Sequence, residues 1–240
     1  MHVVFLGSGN AFASGGRNHM AILLRSHEVG VLLDCGPTTL VALKREGLTP
    51  SDVDVVLVSH LHGDHFGGIP MLAVHERHLS QRRKPLQVFG PPGTRATVNS
   101  ALELFYPGLD GPPFEYTDVP SGAEIEVGVL RFLPFEVDHF SSGTAYGYRV
   151  ELDGKSVVFS GDTAWTDALV DQTPNVDLFI CECSSYEAPL PKHMSHTDLK
   201  RNRARLGAKR TLLVHAGEDV IARKDQLAFE LAHDGTRIEL

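Results

Sequence analysis

The sequence predicts an α/β protein in four layers, an αββα sandwich of two packed β-sheets with helices on both outer faces. Three observations carry that prediction. Hairpin signals and strand–helix units occur in both halves of the chain. No linker, low-complexity stretch or charge block divides the halves. A chain of 240 residues, 42% of them hydrophobic, is long enough to bury a sizeable core. Residues 1–240 are therefore read as one domain.

The elements follow in order. Residues 3–6 make a strand that runs into Gly7-Ser8-Gly9-Asn10, read as a plain glycine turn. Residues 21–25 and 29–34 pair around Ser26-His27-Glu28, with His27 solvated at the turn. Asp34-Cys35-Gly36-Pro37 ends that pair, and an amphipathic helix runs from Thr38 to Arg45 with Gly47 as its stop. Asp34 has two readings, a cap-like residue or a group that orients the loop after the next strand. That strand is the apolar run 53–58, bounded by polar residues as a buried strand is.

Residues 69–80 carry apolar positions at helical spacing, with His75 and His78 as surface residues. A strand at 86–89, a turn at Pro91-Pro92-Gly93-Thr94 and a helix reaching Tyr106 come next, then a loop over 107–113. Strands are expected at 114–117, 125–127, 129–137, 146–152 and 157–160, the last two joined by the hairpin signal Asp153-Gly154. The remainder reads as a buried strand at 176–181, a helix at 197–206, a strand at 211–214, a helix at 226–232 and a short strand at 237–240.

Composition excludes several function classes. No apolar run approaches the roughly 18–20 residues that cross a bilayer. The opening Met1-His2-Val3-Val4-Phe5-Leu6-Gly7 reads as a strand rather than a signal peptide. Cys35, Cys181 and Cys183 are odd in number and poorly spaced for a disulfide framework, which suggests a reducing compartment and a cytoplasmic protein. A net charge of −8 argues against broad affinity for nucleic acid. The basic clusters Arg82-Arg83-Lys84 and Lys200, Arg201, Arg203, Arg205, Lys209 and Arg210 read as solvated helix ends and faces.

The chemistry concentrates in Ser59-His60-Leu61-His62-Gly63-Asp64-His65-Phe66-Gly67-Gly68, directly after the buried strand. In an extended segment His60 and His62 point the same way and can share one ion, which a helix would not allow. Asp64 and His65 come from a turned continuation and aim at a different point, so two adjacent ions are expected. Neutral imidazoles with carboxylates suit zinc first, then manganese or iron. More ligand types stand just past other strands: His139 after 129–137, Asp162 after 157–160 and His215 after 211–214.

Together, Asp34, His60-x-His62-x-Asp64-His65, His139, Asp162 and His215 resemble the five ordered motifs of the metallo-β-lactamase superfamily. The match runs from residue 3 to about residue 217, and the family's αββα sandwich is the architecture expected above. The resemblance implies that His60, His62 and His139 hold one metal, Asp64, His65 and His215 the other, and Asp162 bridges both. The third motif, Asp138-His139-Phe140-Ser141-Ser142-Gly143, resembles the branch that contains ribonuclease Z and small-molecule phosphodiesterases. So do Phe5-Leu6-Gly7-Ser8-Gly9 and the pairing of Glu182 with His193-Met194-Ser195.

That branch implies a phosphodiesterase acting through a metal-bridging hydroxide. Asp64 would orient it, and His193, assisted by Glu182, would protonate the leaving group; neighbouring His196 competes for that role. Two departures matter. The ribonuclease Z arm that grips tRNA, between the third and fourth motifs, is replaced by little more than a hairpin. The family's Ser-x-Arg-Tyr after the last ligand is replaced by Ala216-Gly217-Glu218-Asp219. A small or cyclic phosphodiester is therefore the expected substrate, ahead of tRNA 3′-end cleavage or hydrolysis of a lactone, thioester or sulfate ester. Dimers are common in the resembling family, and that alone points to a homodimer.

Overall fold

The computed structural model describes residues 1–79, 82, 84–109, 114–139 and 143–240. Ser80 of the expected helix, Arg83 of the basic cluster, 110–113 of the expected loop and 140–142 of the third motif lie outside the described residues.

The first half runs β1 (His2–Gly7), β2 (Ala21–Arg25), β3 (Gly30–Leu33), α1 (Thr39–Arg45) and β4 (Val55–Leu57). It continues through α2 (Gly63–Phe66), α3 (Ile69–Leu79), β5 (Leu86–Gly90), α4 (Thr94–Phe105) and β6 (Phe114–Asp118). The second half holds β7 (Ile125–Val127), β8 (Leu130–Glu136), β9 (Tyr146–Leu152), β10 (Lys155–Phe159), α5 (Ala168–Gln172) and β11 (Leu178–Glu182). It ends with α6 (His196–Asn202), β12 (Thr211–Val214), α7 (Glu218–Ala222), β13 (Glu230–Leu231) and β14 (Arg237–Glu239).

Among the described residues these strands form two seven-stranded sheets, ordered β14-β1-β2-β3-β4-β5-β6 and β13-β12-β11-β10-β9-β8-β7. Each sheet is mixed. β3 to β6 run parallel in the first, and β10 to β13 run parallel in the second. The layering follows from side-chain alternation. Val55 and Leu57 face the other sheet, where they join Phe132, Tyr148, Phe159 and Ile180. Val56 and Val58 face outward, beneath Leu43, Ile69, Leu72, Val98 and Leu102 of the first helical layer. A strand covered on both faces needs apolar residues at every position, which is why 55–58 contains no alternation, with Asp54 standing just before the strand. On the far side Val158, Phe179 and Leu213 lie under Leu169, Leu199 and Val220. Burying each such side chain contributes roughly 1.5–3 kcal/mol.

Two expectations fail. Residues 226–232 are a short 3-10 turn followed by β13 rather than a helix. Leu227, Phe229 and Leu231 recur every second residue, and that spacing packs one edge against the second helical layer. The helix in this region is instead α7, whose acidic pair Glu218-Asp219 occupies its first turn, where the helix dipole favours negative charge. Arg82 is also not solvated. Its side chain is 6% exposed, pairs with Glu76 at 2.9 Å and donates to the carbonyl of Val53 at 2.7 Å.

One seam joins the first strand to the last turn. β14 pairs antiparallel with β1. Asp234, in the turn before it, accepts the Ser8 N–H and hydroxyl at 2.9 Å each and the Asn18 N–H at 2.7 Å. The Ser8 carbonyl in turn accepts the His215 N–H at 2.8 Å.

Candidate metal centre

The parallel strands bring their C-terminal ends to one side of the sandwich. Asp34 follows β3, His60 follows β4, Asp162 follows β10, Glu182 closes β11 and His215 follows β12. Asp34 and His215 adopt φ of +58° and +55°. That left-handed region is sparsely used by residues other than glycine, and such strain tends to collect at functional sites. Here it turns both side chains inward.

Three ring nitrogens converge first. His60 Nε2 and His139 Nε2 each stand 3.1 Å from His62 Nδ1. Beside them four atoms form a closed circuit. Asp64 Oδ2 is 3.3 Å from both His65 Nε2 and His215 Nε2. Asp162 Oδ2 is 3.3 Å from His65 Nε2 and 3.2 Å from His215 Nε2. The same Asp162 oxygen lies 4.0 Å from His60 Nε2 and from His139 Nε2, so it adjoins both groups. The extended dipeptide spacing places His60 and His62 together, and the helical turn α2 swings Asp64 and His65 to the second group.

The outward-facing nitrogens explain the inward ones. His65 Nδ1 donates to Asp34 Oδ2 at 2.7 Å. Ser59 gives its hydroxyl proton to the same oxygen at 2.8 Å, so it accepts from His60 Nδ1 at 3.0 Å. In the second sheet Ser184 donates to Glu182 Oε2 at 2.6 Å and accepts from His215 Nδ1 at 3.1 Å. His139 Nδ1 donates to the Lys192 carbonyl at 2.9 Å. Each of these four imidazoles thus carries its hydrogen on Nδ1 and turns a bare Nε2 lone pair inward, the tautomer a metal ligand requires. Asp34 accordingly orients the metal loop, since it also accepts the Ser59 N–H at 2.7 Å.

The residues present fit divalent metal. Nitrogens around one tetrahedral zinc stand about 3.4 Å apart, close to the spacing of the first group. His65 Nε2 is buried and makes no hydrogen bond, although two carboxylate oxygens lie 3.3 Å away. Buried polar atoms are normally paired, so an atom aimed between two acceptors marks a place for a cation. Electrostatics agree. Burial pushes His60 well below the ordinary imidazole value, with His65 adding to the effect, so His60 is neutral. Burial alone would raise the carboxyls of Asp64 and Asp162 and lower His65. The three carboxylates Asp162, Asp64 and Asp34 instead hold His65 well above the ordinary imidazole value. The positive charge so drawn to this spot, with His215, keeps both carboxyls below the usual range. A bound cation would supply that charge and leave His65 neutral.

Next to both groups stands His193. Its Nδ1 is 3.0 Å from Glu182 Oε1 and 3.9 Å from Asp162 Oδ2, and its ring lies between those of His139 and His215. Burial would lower its pKa, yet the hydrogen bond and charge of Glu182 prevail and raise it. Glu182 Oε1 also accepts the Thr163 N–H at 2.5 Å. His196, its rival in the sequence, is turned away: its Nε2 accepts the Ala228 N–H at 2.9 Å and its ring stacks on Tyr186. The site thus gathers His60, His62, Asp64, His65, His139, Asp162, His215, His193 and Glu182. Sequence reasoning missed Ser59 and Ser184 as holders of the ligands; Ser59 adjoins His60, but nothing local marks Ser184 as a partner of His215, 31 positions away.

A family model for the β-lactamase superfamily domain matches residues 30–216. A ribonuclease Z from Ignicoccus hospitalis is 31% identical, over 88% of this chain and 86% of that protein. A ribonuclease Z from Methanopyrus kandleri is 37% identical over 61% of this chain, which spans 49% of that relative's length. The human short-form tRNase Z superposes with a TM-score of 0.82 at 25% identity, covering 100% of this chain and 99% of that one. A diphosphatase of the PhnP family shares the fold, with a TM-score of 0.81 at 20% identity over 100% and 97% of the two chains.

Fold and matches together define a metal-dependent hydrolase, and the fold implies divalent metal, typically zinc. The chain belongs to the metallo-β-lactamase superfamily, in the branch that holds ribonuclease Z and the small-molecule phosphodiesterases. Among the described residues no helix is long and apolar enough to cross a membrane.

Proposed function

We propose that the protein is a binuclear phosphodiesterase acting on a small or cyclic phosphodiester. The observation that supports this most is Asp162 Oδ2, which adjoins both ligand groups and lies 3.9 Å from an imidazole held by a buried carboxylate. His60, His62 and His139 would hold one ion, Asp64, His65 and His215 the other, and Asp162 would serve both. Zinc suits this His/Asp set first, then manganese or iron. Bound there, the ions supply Lewis acidity, which lowers the pKa of water toward neutrality and offsets charge on a phosphoryl oxygen.

The remaining work falls to the chain. Asp64, which adjoins His65 and His215 at 3.3 Å each, would orient the attacking water. His193 has Nδ1 committed to Glu182, so Nε2 carries the proton delivered to the departing alkoxide. Glu182 fixes that tautomer and offsets the imidazolium charge. Residues 1–240 act as one hydrolase domain in this reading, and a second copy of the chain is the expected partner in solution.

Substrate size follows from what joins His139 to Asp162. Among the described residues that span is β9, the turn Asp153-Gly154 and β10, with both turn residues at positive φ as a tight hairpin requires. The Ignicoccus alignment covers 265 positions but draws on only 88% of this chain, so about 54 residues of that ribonuclease Z have no counterpart here. A second reading, cleavage at the 3′ end of tRNA precursors, is favoured by the near full-length match to that same relative.

A parallel assay separates them: bis-nitrophenyl phosphate, cyclic nucleotides, a tRNA precursor with a 3′ trailer, a lactone, a thioester and a sulfate ester, each at fixed zinc or manganese. Turnover of the small diesters without the precursor is expected. Turnover confined to the precursor selects the second reading, and turnover confined to phosphorus-free substrates discards both.

A further inference from the structure

The Ser184 hydroxyl touches three functional groups at once. Its single proton goes to Glu182 Oε2 at 2.6 Å. Its two lone pairs face His215 Nδ1 at 3.1 Å and His193 Nδ1 at 3.2 Å, the latter dividing its one hydrogen between Ser184 and Glu182 Oε1 at 3.0 Å. A serine hydroxyl offers one donor and two acceptor sites, so this one is saturated. Ser184 is 4% exposed, and bulk water does not compete for those bonds.

The backbone is gripped from the same two directions. Ser184 N donates to the Met194 carbonyl at 3.0 Å, beside His193. A Cβ on Gly217, two residues past His215, would stand 2.3 Å from the Ser184 carbonyl oxygen, so glycine alone permits that approach. The rings of His193 and His215 lie nearly parallel, 11° apart with centroids separated by 5.6 Å, one on each lone pair.

We propose that Ser184 is a positioning residue that locks His193 and His215 together, so that one hydroxyl sets both the metal-facing tautomer of His215 and the orientation of the proton donor. This rests on the metallohydrolase reading above. Ser59 supplies an internal control. Its hydroxyl joins Asp34 to His60 in the same manner but touches no proton donor. Loss of the Ser184 hydroxyl strips the buried His215 Nδ1–H of its acceptor and lets the ring exchange tautomers, which buries a hydrogen where a lone pair is needed. Loss of the Ser59 hydroxyl does this to His60 alone.

The test compares Ser184→Ala, Ser184→Thr and Ser59→Ala with the wild type, all as the full chain. Zinc affinity is read by competition with a chromophoric chelator, ring tautomers by 15N NMR of labelled histidine, and turnover with diesters of good and poor leaving groups. Ser184→Ala should lose about 10- to 100-fold in zinc affinity, the cost typical of removing a group that orients a ligand. It should also disturb the ring signals of two histidines and lose more rate on poor leaving groups than on nitrophenyl esters. Ser184→Thr, which keeps the hydroxyl, should restore all three. Ser59→Ala should lose affinity with no dependence on the leaving group.

Wild-type affinity in Ser184→Ala, a disturbance of His215 alone, or no rescue by threonine overturns the proposal. If the wild type turns over no phosphodiester, the functional reading fails separately, and affinity and ring signals still decide the role of Ser184.

Discussion

Asp34, after β3 of the first sheet, and Glu182, at the end of β11 of the second, are built alike. Both are buried, at 0% and 1% exposure. Each accepts one imidazole N–H directly, from His65 and His193 respectively. Each reaches a second imidazole through a serine: His60 by way of Ser59, and His215 by way of Ser184. The difference lies in what they hold. Both clients of Asp34 belong to the ligand groups. Glu182 holds one ligand, His215, and one imidazole outside both circuits, His193. In the proposed reading the same device would fix metal in the first half of the chain and join metal to proton transfer in the second.

The comparison can be broken first where the halves meet. Asp162→Ala should release both ions and reduce turnover to background, and two ions per chain in that variant by metal analysis would end the shared-carboxylate idea. His193→Ala should keep its metal while losing about 10²–10⁴-fold on poor leaving groups. An equal loss on nitrophenyl esters would place His193 among structural residues, and the two carboxylates would no longer differ in purpose. Asp34→Asn should cost about 10- to 100-fold in zinc affinity with no preference among leaving groups; a chelator titration indistinguishable from wild type would count against it.

Acidity sharpens the contrast further. Glu182 raises the His193 pKa above 6.5, against the pull of burial. The proton is therefore fully in place below 6.5 and is lost as pH climbs through the raised value. Rates on poor leaving groups should fall along that alkaline limb. Glu182→Gln should move the limb to lower pH, and its persistence in His193→Ala would assign it to another group. The smallest effect belongs to Ser195, whose hydroxyl accepts the Asp198 N–H at 3.1 Å and caps α6 just beyond His193. Ser195→Ala should cost about 1 kcal/mol in thermal or denaturant unfolding, with metal affinity intact.

Much of this was legible before any coordinates. The layers follow from 55–58, apolar without alternation because both faces of β4 are covered. The convergence of the candidate ligands was legible because groups that leave strands running the same way come out at one end of the sheet. Asp34 was readable only as one of two possibilities, since its bonds to Ser59 and His65 cross from β3 to the loop after β4. Ser184 was invisible because His215 is 31 positions away and serine at a strand end has many ordinary uses. The expected helix at 226–232 failed because Leu227, Phe229 and Leu231 fit a strand edge better than a helical stripe.

One bond reaches further than its size suggests. Ser8 and Asp234 are 226 positions apart, and the Ser8 carbonyl secures the backbone of His215 in its left-handed conformation. A ribosome delivers the chain from N- to C-terminus, so Ser8 waits for 226 further residues before its anchor is made. The histidines near residue 60 emerge well before it, and the pocket they face is completed only once the turn holding Asp234 has left the tunnel.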